Sequence, residues 1–98
     1  MTGLYVIDCT DKPDAFALRQ QTRPDHLSFL AGLGEALVLA GPFQDDQGRS
    51  IGSLVIVRAE TRQAAEAIAR RDPYARAGLF ASSSVRSWVW ALNKPEGL

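Results

Sequence analysis

The chain has one histidine, His26, and it stands in Thr22-Arg23-Pro24-Asp25-His26. Histidine is the side chain whose unperturbed pKa, about 6.5, suits proton transfer near neutrality. A carboxylate that accepts a hydrogen bond from one ring nitrogen fixes the tautomer and steadies the imidazolium. The candidate for that carboxylate is Asp72, in Arg71-Asp72-Pro73-Tyr74. The two residues lie 46 positions apart, so spacing leaves their contact open and only the fold can bring them together. Such a pair can do general acid/base work on a bound small molecule: proton abstraction, isomerisation or elimination.

Other chemistries find no residues to carry them. Cys9 is the one cysteine, so there is no disulfide within the chain. One thiol and one imidazole do not close a zinc site. Cys9 sits in a strand pattern and reads as a small buried apolar residue. No activated serine or cysteine nucleophile is identifiable, so the expectation is chemistry without a cofactor and without a metal. Arg23, one turn before His26, can hold a substrate carboxylate, and a helix N-terminus there also favours an anion. Gly41, Pro42, Ser53 and Tyr74 complete the substrate-binding candidates.

Each candidate also has a plain structural reading. His26 on an apolar helical stripe fits a core histidine satisfied by a backbone carbonyl. Asp72 before Pro73 fits a helix N-cap with proline in the first turn. Arg23 fits a solvated surface position, Tyr74 fits packing, and Gly41-Pro42 fits a strand end.

Length and composition bound the class. A chain of 98 residues is expected to be one domain, which at this size buries about 60–65% of its unfolded surface. The hydrophobic share of 46% and charged share of 22% are ordinary for a folded globule. Eleven basic residues balance eleven acidic ones, which leaves no electrostatic footprint for nucleic acid or an anionic membrane. No run of 18 apolar residues occurs, and no basic segment followed by a long apolar one opens the chain. A cytoplasmic location follows by default.

The elements that must position the pair follow from hydrophobic patterning. Leu4–Cys9 reads as a first strand. Asp11-Lys12-Pro13-Asp14 opens a short helix to Gln20, with Asp11 as its cap. Thr22 with Pro24 and Asp25 signals a second helix start, and behind it His26, Phe29, Leu30 and Leu33 form one stripe. Gly32 and Gly34 end that helix. Ala36–Ala40 and Ser53–Val57 read as strands around a polar loop over 44–50. Thr61 caps a helix with Ala64, Ala65, Ile68 and Ala69 on its apolar side and Glu66 paired to Arg70 outside. Proline at 73 stops it. A short turn over 74–78, a long strand over 80–92 and a frayed tail complete the chain. The order βαββαβ points to an α+β, ferredoxin-like sandwich: an antiparallel four-stranded sheet with both helices on one face.

The other sheet face should then alternate polar with apolar, and it does not. Leu37-Val38-Leu39 and Leu54-Val55-Ile56-Val57 are apolar at consecutive positions, and Trp88 and Trp90 share a face. Large bare apolar faces mark interfaces, so the expected partner is a second copy in a homodimer joined through the sheet faces.

In order and spacing, Leu4-Tyr5-Val6-Ile7, Arg23-Pro24-Asp25-His26, Ala40-Gly41-Pro42, Asp72-Pro73-Tyr74 and the Val85-Arg86 strand resemble the YciI-like (YCII-related) family. The resemblance implies the dimeric α+β barrel architecture and a histidine–aspartate active-site pair, which falls on His26 and Asp72. It implies an enzyme of small-molecule metabolism in a family whose role is mostly unassigned, and the chemistry of the pair itself points to the lyase or isomerase type. A metabolite-binding homodimer without turnover is the alternative.

Overall fold

A computed structural model of the chain describes residues 2–96. The elements run β1 (Gly3–Asp11), α1 (Phe16–Gly32), a 3-10 turn (Gly34–Ala36), β2 (Leu37–Gln44), β3 (Ser50–Ala59), α2 (Arg62–Arg71), α3 (Pro73–Arg76) and β4 (Phe80–Trp88). The strands form one antiparallel sheet in the order β2-β3-β1-β4. This is the ferredoxin-like α+β arrangement that the order of elements predicts.

Register explains where the core sits. Side chains alternate between sheet faces, so partners across the ladder share a face. Val85, Ile7 and Val55 form one row, with Ala40 beside Val55. The next row is Ser83, Cys9, Ser53 and Pro42. Leu30, Ala65, Phe29, Leu33, Ile68 and Ala69 pack on this face and close an apolar core with Ile7, Cys9, Val55, Val57 and Val85. One row of the helix-facing surface is thus apolar, and the next turns small and polar.

The opposite face carries Val6, Ile56 and Leu39 in a row, flanked by Trp88 beside Leu4 and by Phe43 opposite Gly52. Leu39, Phe43 and Trp88 are exposed. The second face is apolar on β2 and β3 but mixed toward β4, where Arg86 stands opposite Val6 and lies 3.6 Å from Asp8. Trp90 lies beyond the end of β4, with its ring tilted against Trp88 at 5.6 Å.

Several local expectations are corrected. The two N-terminal helices are one helix, α1, and Pro24 lies inside it. Proline there removes the N–H that the Gln20 carbonyl would bond, and the helix tolerates the loss because its buried stripe is continuous across it. Asp11 is not a cap: it ends β1 and binds a side chain described below. Thr22 is helical, and the N-cap position, Ala15, has no side-chain bond. Strands β2 and β3 are longer than predicted because a tight turn joins them: Asp45 Oδ1 accepts from the Gln47 and Arg49 amides at 2.9 Å each. Strand β4 stops at Trp88 rather than Leu92. Glu66 pairs with Arg62, at 3.8 Å, rather than with Arg70, and Ala64 is exposed. Thr61 does cap α2, accepting from Ala64 N at 3.1 Å.

Gly52 is the tightest point of the sheet. A Cβ there would stand 2.5 Å from the Cys9 carbonyl oxygen and 3.3 Å from the Phe43 ring. The nearer neighbour is backbone and has little freedom to yield. Gly52→Ala is expected to lower stability by about 2 kcal/mol, the usual cost of overpacking, read as a lower urea midpoint at unchanged slope.

Candidate functional site

Continuity of α1 sets the geometry of the site. Arg19, Arg23, His26 and Leu30 recur at i, i+4, i+7 and i+11, which puts them on one helical face. Arg19, His26 and Leu30 are buried on it. Helices α2 and α3 supply the other side. Asp72 ends α2 and caps α3, and Pro73 occupies the first turn of α3, where its missing N–H costs nothing.

The cap and the pairing partner are the same atom. Asp72 Oδ1 accepts from the Tyr74 amide at 2.9 Å and lies 2.8 Å from His26 Nδ1. His26 and Asp72 are each 7% exposed. A carboxylate only accepts, so Nδ1 carries the hydrogen and donates. That leaves Nε2 with a lone pair when the ring is neutral. Nε2 has no protein partner among the described residues, and no buried polar side-chain atom there lacks one. Nε2 therefore lies on the wetted side of the ring.

Tyr74 holds the ring by its face. Its phenol stacks on the imidazole with centroids 3.9 Å apart and planes at 16°. On Tyr74 the Arg19 guanidinium also sits, 4.6 Å from the ring centroid. Arg19 is 5% exposed and binds through Nε and Nη2. Nε reaches Asp11 Oδ2 at 2.7 Å, and Nη2 reaches the Gly52 carbonyl at 2.8 Å and Ser53 Oγ at 2.6 Å. Burial pushes the Tyr74 phenol above its ordinary range, against the opposing pull of the Arg19 and Arg23 charges. Burial also raises the Cys9 thiol, although a hydrogen bond to Ser83 works the other way. Both groups are thus protonated at neutral pH.

A cavity of about 530 Å³ opens beside the pair, a size usual for small-molecule sites. His26, Arg23, Tyr74, Ser53, Gly41 and Pro42 all line it, as do Arg19 and Leu27. Asp72 is not in the cavity wall; it holds two residues that are, His26 and Tyr74. The predicted candidates therefore converge on one place. Arg19 and Asp11 were not among them. Their signal was present, since Arg19 falls on the His26 face once Pro24 is allowed inside the helix. The sets of His, Cys, Asp and Glu among the described residues include no cluster able to hold a metal ion.

A family model described as the YCII-related domain matches residues 3–89. The chain belongs to that family. Protein YciI of Escherichia coli O6:H1 is 40% identical over 91 residues, covering 85% of this chain and 93% of that one. Among solved structures, 5-chloro-2-hydroxyhydroquinone dehydrochlorinase (TftG) from Burkholderia phenoliruptrix AC1100, in complex with 2,5-dihydroxybenzoquinone, superposes with a TM-score of 0.80. It is 28% identical, over 88% of this chain and 93% of that chain. SnoaB, a cofactor-independent oxygenase from Streptomyces nogalater, has a TM-score of 0.55 at 13% identity, over 97% and 98% of the two chains. That likeness is one of fold alone.

Arg19 and Asp11 are 7% and 5% exposed at their side chains. Removing one partner of such a pair strands the other charge. Arg19→Met is expected to cost about 3–5 kcal/mol, and adding Asp11→Asn should recover part of it. Urea denaturation of the two variants against the parent checks both statements.

Proposed function

We propose that this YCII-related chain is a small enzyme in which the His26–Asp72 pair moves a proton on a substrate held in the adjoining cavity. The observation that carries the reading is the 2.8 Å contact of His26 Nδ1 with Asp72 Oδ1, on a histidine that lines the cavity and whose Nε2 has no partner among the described residues. Asp72 holds the tautomer and stabilises the imidazolium, while Nε2 takes the proton and returns it. The reaction type is elimination or isomerisation at an acidic carbon. The likeness to a dehydrochlorinase supports the lyase side of this, because loss of HCl needs a base to take one proton while chloride leaves with the C–Cl bonding electrons.

The acting form is proposed to be a homodimer packed through the sheet faces. Val6, Ile56, Leu39, Trp88 and Phe43 offer apolar surface of the kind that interfaces cover, with Arg86 and Asp8 paired at its β4 side. A twofold operator pairs such a patch with itself.

The chloro-hydroxyhydroquinone named for the dehydrochlorinase is the first substrate to try, with chloride release as the readout. His26→Gln and Asp72→Asn are expected to lower turnover by roughly 10²–10⁴-fold, with melting curves close to the parent. Asparagine at 72 keeps an acceptor oxygen for the Tyr74 amide, so the cap survives while the charge is lost. Parental turnover in both variants sinks the proposal. Turnover absent from the parent, together with thermal stabilisation by the ligand, shows a binding module instead.

Sedimentation equilibrium at micromolar chain is expected to give twice the chain mass, and Leu39→Lys to shift the population to monomer. A monomeric parent removes the dimer.

A further inference from the structure

The cavity has a second chemical feature beyond the proton-transfer pair. Tyr74 is 1% exposed. Its ring is fully occupied, with His26 stacked on it, Phe80 at its edge and Arg19 close over it. Its hydroxyl has no hydrogen-bond partner among the described residues, and no buried polar side-chain atom there is without one. The little surface that Tyr74 keeps therefore lies at the hydroxyl, and Tyr74 lines the cavity. A nearly buried hydroxyl without a protein partner, on a residue that lines a cavity, is free to bond a ligand there.

The charges around it fix the sign of that ligand. Two arginines line the cavity and no aspartate or glutamate does. Arg19 Nε and Nη2 are bound to Asp11, Gly52 and Ser53, and its charge is paired with Asp11. Arg23 is exposed and pairs with no carboxylate among the described residues. Arg23 and Tyr74 line the same cavity. The phenol is protonated at neutral pH because burial outweighs both arginines, and it can donate.

Resting on the reading that the substrate sits in this cavity, we propose that Tyr74 Oη and Arg23 form an oxyanion subsite that selects small organic anions bearing a carboxylate, enolate or phenolate oxygen. Tyr74 donates a hydrogen bond to the charged oxygen, and Arg23 supplies the countercharge from the rim. When Nε2 removes a proton from the carbon next to the one that bears this oxygen, the charge that builds on the oxygen is stabilised there. Tyr74 is then a ligand-binding residue in addition to the support of the imidazole.

The probe is 2,5-dihydroxybenzoquinone, a vinylogous acid that is an anion at neutral pH, compared with its uncharged dimethyl ether. Titration calorimetry on the full chain at low and raised salt reads both. The anion is expected to bind more tightly than the ether. Tyr74→Phe keeps the stacked ring and is expected to weaken the anion about tenfold, the worth of one hydrogen bond to a charged group. Arg23→Gln should weaken it by a similar factor and flatten its salt dependence. Neither variant should change binding of the ether. Equal affinity for anion and ether, unchanged anion binding in both variants, or no binding of the anion to the parent overturns the subsite. His26→Gln separates this from the catalytic reading. If it binds the anion as the parent does, and the parent shows no turnover, the subsite stands while the proton-transfer proposal falls.

Discussion

Everything at the site depends on one oxygen. Asp72 Oδ1 accepts from the backbone of Tyr74 and from the imidazole of His26 at once. The first bond starts α3, and starting α3 is what brings the Tyr74 ring onto the face of the same imidazole. Edge and face of the histidine are thus held by residues two apart in the chain. A buried carboxylate is costly unless its lone pairs are used, and here the use of them builds the site. Structural and chemical readings of Asp72 are therefore one arrangement seen from two sides.

A second buried charge works in the same way. Arg19 ties the end of β1, the start of β3 and the Tyr74 ring together through Asp11, Gly52, Ser53 and a cation–π contact. It lies where the helix-facing side of the sheet changes from the row of Val85, Ile7 and Val55 to the row of Ser83, Cys9 and Ser53. The apolar rows hold the helices on the sheet, and the polar row leaves room for the cavity. The close approach at Gly52, where a Cβ would meet the Cys9 carbonyl at 2.5 Å, sits beside the carbonyl that receives Arg19.

The strand and helix order was legible because it rests on period and on punctuation. Thr61, Asp72-Pro73 and the Gly32–Gly34 pair mark boundaries by mechanisms that act locally, and the structure has them there. Pro24 misled for the same reason. Its local preference is to open a helix, and only the tertiary burial of Arg19, His26 and Leu30 along one stripe explains why the helix runs through it. That misreading hid Arg19, which belongs to the His26 face only in an unbroken helix. Residues that lie on separate segments, such as Arg19 with Asp11 and Ser53, could not be paired from spacing at all. The tail also escaped: Val89, Trp90 and Leu92 continue the apolar pattern of β4, yet the ladder ends at Trp88, opposite Leu4 near the start of β1.

Strand β2 lies at the sheet edge and touches one neighbour, β3. Its pleat sends Ala40 and Pro42 toward the row of Val55 and Ser53, while Leu39 and Phe43 go to the far face. One strand is thus the wall of the cavity on one side and part of the open apolar surface on the other. Any sideways shift of β2 moves both surfaces together. A ligand or partner that displaced β2 from either side would be felt on the other, and any such coupling would be equal in both directions.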